Sequence, residues 1–131
     1  MQLEIDDYCF ACGRENPIGL KLRFEAIEGG VAAEFTPCRE HQGFIGIAHG
    51  GIVTTLLDEA MAHAIIAGGF RAVTARMELS FKRPLLIGSR AVVVGKVDVQ
   101  RGKLIKAAAE IRQEDRLVAK AVADFLMLKD N

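Results

Sequence analysis

The sequence predicts an α+β domain: an antiparallel sheet of five to six strands wrapped round one long central helix. Three observations predict it. Residues 50–67 form an apolar run with no proline and no glycine after Gly51, long enough for about five helical turns, or ~27 Å. The segments on either side alternate apolar and polar residues with a period of two, the signature of half-buried strands. Most of these strands are joined by connections of a few residues, which imply antiparallel neighbours.

Composition narrows the function classes. The 131 residues are half hydrophobic and 26% charged, with 17 basic and 17 acidic side chains. One domain spanning 1–131 with a single core is expected at this length. A zero net charge offers no electrostatic argument for nucleic acid or an anionic membrane. The acidic start, Met1 to Asp7, lacks the apolar stretch of a signal peptide, so a cytoplasmic protein is expected. Asp58, Glu59 and His63 interrupt the apolar run and argue against a membrane span. No cofactor is implied.

The elements follow in order. Residues 1–18 carry turn chemistry and read as an irregular lead-in. Leu20–Ala26 alternates, with Leu20, Leu22 and Phe24 on one face, and Gly29-Gly30 turns it into Val31–Phe35 as a hairpin. Residues 36–48 read as a loop leading into the helix, which Gly68-Gly69 ends. Next, Val73, Ala75, Met77, Leu79 and Phe81 face one way and Thr74, Arg76, Glu78, Ser80 and Lys82 the other, until Pro84. Ala91–Val99, Leu104–Arg112 and Leu117–Leu128 complete the strands, with turns at Arg101-Gly102 and Glu114-Asp115. Their inward faces are rich in alanine (Ala107, Ala109, Ala119, Ala121, Ala123), which lets a helix lie close.

A helix apolar nearly all round must be buried, yet one sheet covers only one side. Loops or a second copy of the chain must close the other. A sheet wrapped round one helix and paired as a homodimer, or as a dimer of dimers, is the hotdog architecture.

The chemistry concentrates at the helix. His49-Gly50-Gly51 opens it, and the first-turn N–H groups have no intrahelical partner and carry the positive end of the dipole. They could stabilise a carbonyl oxygen gaining negative charge, or the glycines could simply turn the chain with His49 as cap. Two adjacent carboxylates then enter the apolar run, where burial costs several kcal/mol without compensation. Glu59 has His63 four residues on as a partner; a Glu/His zinc pair is the alternative, but it lacks further ligands. Asp58 has no charged neighbour on its own helix, which marks it as nucleophile or general base. Gly50 and Asp58 are separated by ~12 Å along the axis and ~80° round it. If both act on one bond, two chains contribute. Cys9 and Cys12 form a C-x-x-C; with Cys38 and His41 they could supply four zinc ligands, against the plainer reading of structural thiols.

The stretch Gly46-x-x-His49-Gly50-Gly51-x-x-x-x-Leu56-Leu57-Asp58-Glu59-Ala60 resembles the core motif of the PaaI-like hotdog acyl-CoA thioesterases. Cys9-Phe10-x-Cys12-Gly13-x-x-Asn16-Pro17-x-Gly19-Leu20 and Thr74-Ala75-Arg76-x-Glu78-x-Ser80-Phe81-x-x-Pro84 resemble a bacterial branch of that family. The resemblance implies hydrolysis of an acyl-CoA thioester at a dimer interface. It matches Asp58 to the family's acid, Gly50 to its carbonyl-polarising amide, His49 to the motif histidine and Thr74 to a hydroxyl near the attacking water. Gly51, Gln42, Gly43, Glu59 and Arg76 are the candidate substrate contacts. Where many relatives place Asn or Gln to position water, this chain has Gly43, with Gln42 adjacent. A non-catalytic acyl-CoA or lipid-binding module is the alternative; a hotdog hydratase fits the pattern less well.

Overall fold

The structure, a computed structural model, describes residues 2–128; residue 1 and residues 129–131 of the expected domain lie outside the described residues. Six strands and one long helix run β1 (Glu25–Ile27), β2 (Gly30–Phe35), α1 (Gly50–Ala67), β3 (Val73–Phe81), β4 (Ala91–Arg101), β5 (Leu104–Gln113) and β6 (Arg116–Leu126). All pairings are antiparallel, in the spatial order β1-β2-β4-β5-β6-β3. The three strands β4, β5 and β6 form a meander. The segment after α1 instead runs to the far edge, beside β6, because the helix carries the chain across the sheet.

Helix α1 occupies the span that the apolar run predicts. Its buried residues, Val53, Leu56, Leu57, Ala60, Met61, Ala64 and Ile65, recur at three- and four-residue spacing and form one stripe against the sheet. By length and composition α1 could cross a membrane, but here this stripe lies against the concave sheet. The alanines of β5 and β6 are buried as expected. Helix and sheet approach closely at Gly95 of β4, where an added Cβ would overlap the Ala60 carbonyl. Glycine is required there because backbone meets backbone.

The structure corrects two details of the strands. Leu20–Ala26 alternates in burial but does not enter the ladder as a strand: only Glu25–Ile27 pairs, with β2. Lys21 adopts φ 55°, the left-handed region, which breaks the extended run. The amides of Leu20 and Leu22 bond the carbonyls of Phe10 and Ala11 instead, at 2.9 Å each. The second correction is at β3. Thr74 lies opposite Phe125 and Arg76 opposite Asp124, with a register shift between them. Ala75 is thus an extra, bulged residue. From Met77 on, the alternation is as expected.

The loop 36–48 contains a short 3-10 turn, Arg39–His41. Gln113, buried among apolar neighbours at 5% exposure, clamps the segment between β3 and β4. Its Oε1 accepts from the Leu86 N–H at 2.8 Å, and its Nε2 donates to Leu86 O at 3.0 Å and Ser89 O at 2.8 Å. The neighbouring Leu85 carbonyl receives the Ala48 N–H at 2.8 Å. The start of α1 is held through this relay.

Candidate functional site

The helix start is built by its own residues. His49 is the N-cap, with φ −59° and ψ 141°, and its Nδ1 accepts the Gly51 N–H at 2.8 Å. The His49 amide in turn bonds His41 O at 2.8 Å. The capping imidazole occupies the second amide of the helix. The Gly50 N–H has no hydrogen-bond partner among the described residues, and a Cβ placed at Gly50 would meet nothing within 4 Å. An open, unpaired amide at the positive end of a helix can receive an oxygen from outside the chain. The next two hydroxyls are occupied, Thr54 on Gly50 O at 2.8 Å and Thr55 on Gly51 O at 2.9 Å.

Asp58 lies two turns further along, half-buried, and its Oδ1 accepts the Thr74 hydroxyl at 2.6 Å. The bulge at Ala75 makes this contact. It puts Thr74 opposite the inward-facing Phe125, on the helix side of the sheet, while Arg76 and Glu78 face outward. Regular alternation would have kept Thr74 and Arg76 on one face, so the sequence pattern alone misplaces Thr74. Arg76 pairs with Glu78 at 2.7 Å on the exposed outer face and is not brought to Asp58.

The other candidates divide between the helix entrance and the opposite flank. Gln42 Oε1 accepts the Gly46 N–H at 2.9 Å and braces the loop. Gly43 bonds Ile47 O at 2.9 Å, and a Cβ there would lie 3.2 Å from His49 Cα. On this backbone a longer residue at 43 would crowd the capping histidine. Glu59 turns about 100° away from Asp58 round the helix and faces the lead-in. There Cys9 Sγ donates to Glu59 Oε2 at 3.3 Å, and His63 Nε2 stands 3.7 Å from Oε1.

This second cluster is electrostatically unusual. Burial, the hydrogen bond with Cys9 and the Glu59 charge push the Cys12 thiol up to about 12. Burial also raises Glu59, opposed by its bond from Cys9 and by His63. The four-ligand set Cys9, Cys12, Cys38 and His41 is not assembled. Cys9 and Cys12 gather with Glu59, whereas Cys38 and His41 pair with each other on the exposed 3-10 turn, Sγ to Nδ1 3.4 Å. Sequence reasoning paired Glu59 with His63 but had no signal that the C-x-x-C would join them.

A six-stranded antiparallel sheet curled round one central helix, with a glycine-opened helix start and a half-buried acid, defines a hotdog-fold protein. The sequence model of the Thioesterase superfamily matches residues 45–120, and the chain belongs to that superfamily. Acyl-coenzyme A thioesterase THEM4 of Bos taurus is 28% identical over 88 residues, 67% of this chain and 36% of that protein. The chain thus spans little more than a third of that relative's length. The crystal structure of a thioesterase superfamily protein superposes with a TM-score of 0.87 at 26% identity, covering 92% of this chain and 60% of that one. The E. coli PaaI protein from the phenylacetic acid degradation operon shares the fold, with a TM-score of 0.76 at 22% identity over 82% of this chain and 83% of that one.

Proposed function

We propose that this chain hydrolyses an acyl-CoA thioester to the free acid and CoA, in a site shared between two copies. The observation that carries the reading is the Asp58–Thr74 pair: a half-buried carboxylate with no cationic partner, oriented by a neutral hydroxyl and left with Oδ2 unpaired among the described residues. Superfamily membership and the names of the THEM4 relatives support the substrate class. In this mechanism Asp58 takes a proton from water as the resulting hydroxide adds to the thioester carbonyl, or adds itself as nucleophile to give an acyl-aspartyl anhydride that a water then hydrolyses, that water supplying the proton. The Gly50 N–H receives the oxyanion, where a preorganised donor is worth most. Collapse breaks the C–S bond, and the CoA thiolate takes up the proton.

Two features support a second copy. The outer edge of β3, nine residues from Val73 to Phe81, faces no strand among the described residues, and an open edge of that length is a template for pairing. Beside the helix start, Phe44 and Ile45 are 85% and 93% exposed, which a soluble surface seldom leaves uncovered. Pairing would bring the helix start of one copy toward the acid of the other.

The test is release of free CoA from a panel of acyl-CoA esters. The wild-type chain is expected to turn over at least one of them, and Asp58→Asn to lose about 10²-fold or more, the scale of a positioned acid or base. Full activity in Asp58→Asn refutes the role of Asp58. Tight binding of acyl-CoA without turnover by the wild type favours the binding module, a reading that Gly43 in place of a longer polar residue supports.

A further inference from the structure

The cluster on the far side of α1 is not used by this chemistry, and its composition is that of a metal site. Cys9 Sγ, Cys12 Sγ and a Glu59 carboxylate oxygen all lie within 4.8 Å of one another. The His63 Nε2 beside them is buried and has no hydrogen-bond partner among the described residues. All four side chains line one recess between the lead-in and the helix.

We infer that Cys9, Cys12, Glu59 and His63 bind one Zn²⁺ ion. For metal–ligand distances of about 2.0–2.3 Å, the donors of a tetrahedral zinc stand about 3.3–3.8 Å apart. Cys9 Sγ to Glu59 Oε2 is 3.3 Å and His63 Nε2 to Glu59 Oε1 is 3.7 Å. The two contacts fall on different oxygens of the carboxylate, and His63 lies just outside the group formed by Cys9, Cys12 and Glu59, so the site closes when the Glu59 and His63 side chains rotate in toward the two thiols. Two thiolates, an imidazole and one carboxylate suit a borderline-soft cation and not the hard cations that prefer oxygen.

The backbone is shaped for this set. Gly13 N–H bonds Cys9 O at 2.8 Å, folding Cys9 and Cys12 onto the same side of a tight turn. A Cβ at Gly13 would lie 2.5 Å from the Asp7 carbonyl oxygen and 2.6 Å from Cys9 O, so only glycine permits the turn. The Cys12 amide points at Cys9 Sγ from 3.4 Å, the kind of outer-shell donor that supports a coordinated thiolate. His63 is fixed by stacking on Phe24, with ring centroids 4.6 Å apart. Glu59 and His63, four apart on α1, present their donors on one face. Binding displaces both thiol protons to solvent and ties the lead-in to the central helix.

The test uses the full chain, reduced and freed of metal by chelation, titrated with Zn²⁺ and with Co²⁺ as a spectroscopic stand-in. One equivalent per chain is expected, with thiolate-to-cobalt charge-transfer absorption and the visible bands of a tetrahedral site. The double substitution Cys9→Ser, Cys12→Ser should abolish those bands, and His63→Ala should weaken binding at least about 10-fold, the lower end for perturbing a metal's surroundings. Cys38→Ser should bind as the wild type does. Because the double variant could fail to fold, alkylation of the wild type is mapped by mass spectrometry with and without Zn²⁺: protection of Cys9 and Cys12 but not Cys38 supports the site. Equal labelling with and without Zn²⁺, no charge-transfer band, or a Cys9–Cys12 disulfide that forms in air with Zn²⁺ present would each overturn it.

Discussion

Replacing Gln113 by Met tests whether the relay behind the helix start is energetically important. Met has similar length and volume but neither donates nor accepts the three hydrogen bonds to Leu86 and Ser89. At about 1 kcal/mol net for each bond, the loss is ~3 kcal/mol, and more wherever a stranded group stays dry. The apolar side chain returns about 1 kcal/mol through burial, leaving a net loss of about 2–3 kcal/mol. For a chain of this size each kcal/mol lowers Tm by about 3–4 °C, so a fall of roughly 6–12 °C is expected. Thermal unfolding followed by circular dichroism measures it. Because Leu85 O holds the Ala48 N–H, hydrogen exchange at Ala48 and His49 should quicken in the same variant. A Tm drop below about 3 °C, with unchanged exchange at those amides, would show that the clamp is replaced by water and that the relay is not what fixes the helix start.

Three further outcomes follow from the geometry. Gly95→Ala forces a methyl group into the Ala60 carbonyl and should cost about 1–3 kcal/mol, the range for overpacking a core, measured by denaturant unfolding; a neutral result would mean that helix and sheet can separate freely. Thr74→Val removes the hydroxyl on Asp58 and should lower kcat by about 10-fold or more, since hydrogen bonds to charged groups contribute about 1.5–3 kcal/mol, with KM changed little; an unchanged kcat would remove Thr74 from the site. Gly50→Pro deletes the open amide at a first helical position, where proline is tolerated, and His49 at ψ 141° already has the conformation that precedes proline. Mixed with Asp58→Ala, it should restore up to about a quarter of wild-type activity, because random pairing makes about half the dimers mixed and each has one intact site. No recovery despite confirmed subunit exchange would place each site within one chain.

What the sequence determined by itself were the features with short-range causes. The helix span follows from a mostly apolar run, free of proline and glycine, between Gly50-Gly51 and Gly68-Gly69. The meander follows from period-two patterns and the Glu114-Asp115 turn, whose two residues do adopt positive φ. Asp58 stood out because a helix makes its own neighbours predictable at three and four residues, and none was charged. Tertiary structure alone decided what meets across long separations. A bulge shifts side-chain direction without altering the residue pattern, so only the register of β3 on β6 shows that Thr74 turns inward to Asp58 while Arg76 turns out. The alternation of Leu20, Leu22 and Phe24 records burial, not pairing, and Lys21 could leave the extended region because the lead-in supplies carbonyls to the amides beside it. Cys9 and Glu59 are separated by 50 positions; no periodicity spans that distance, and their meeting depends on the lead-in folding back over the flank of α1 that the sheet leaves open.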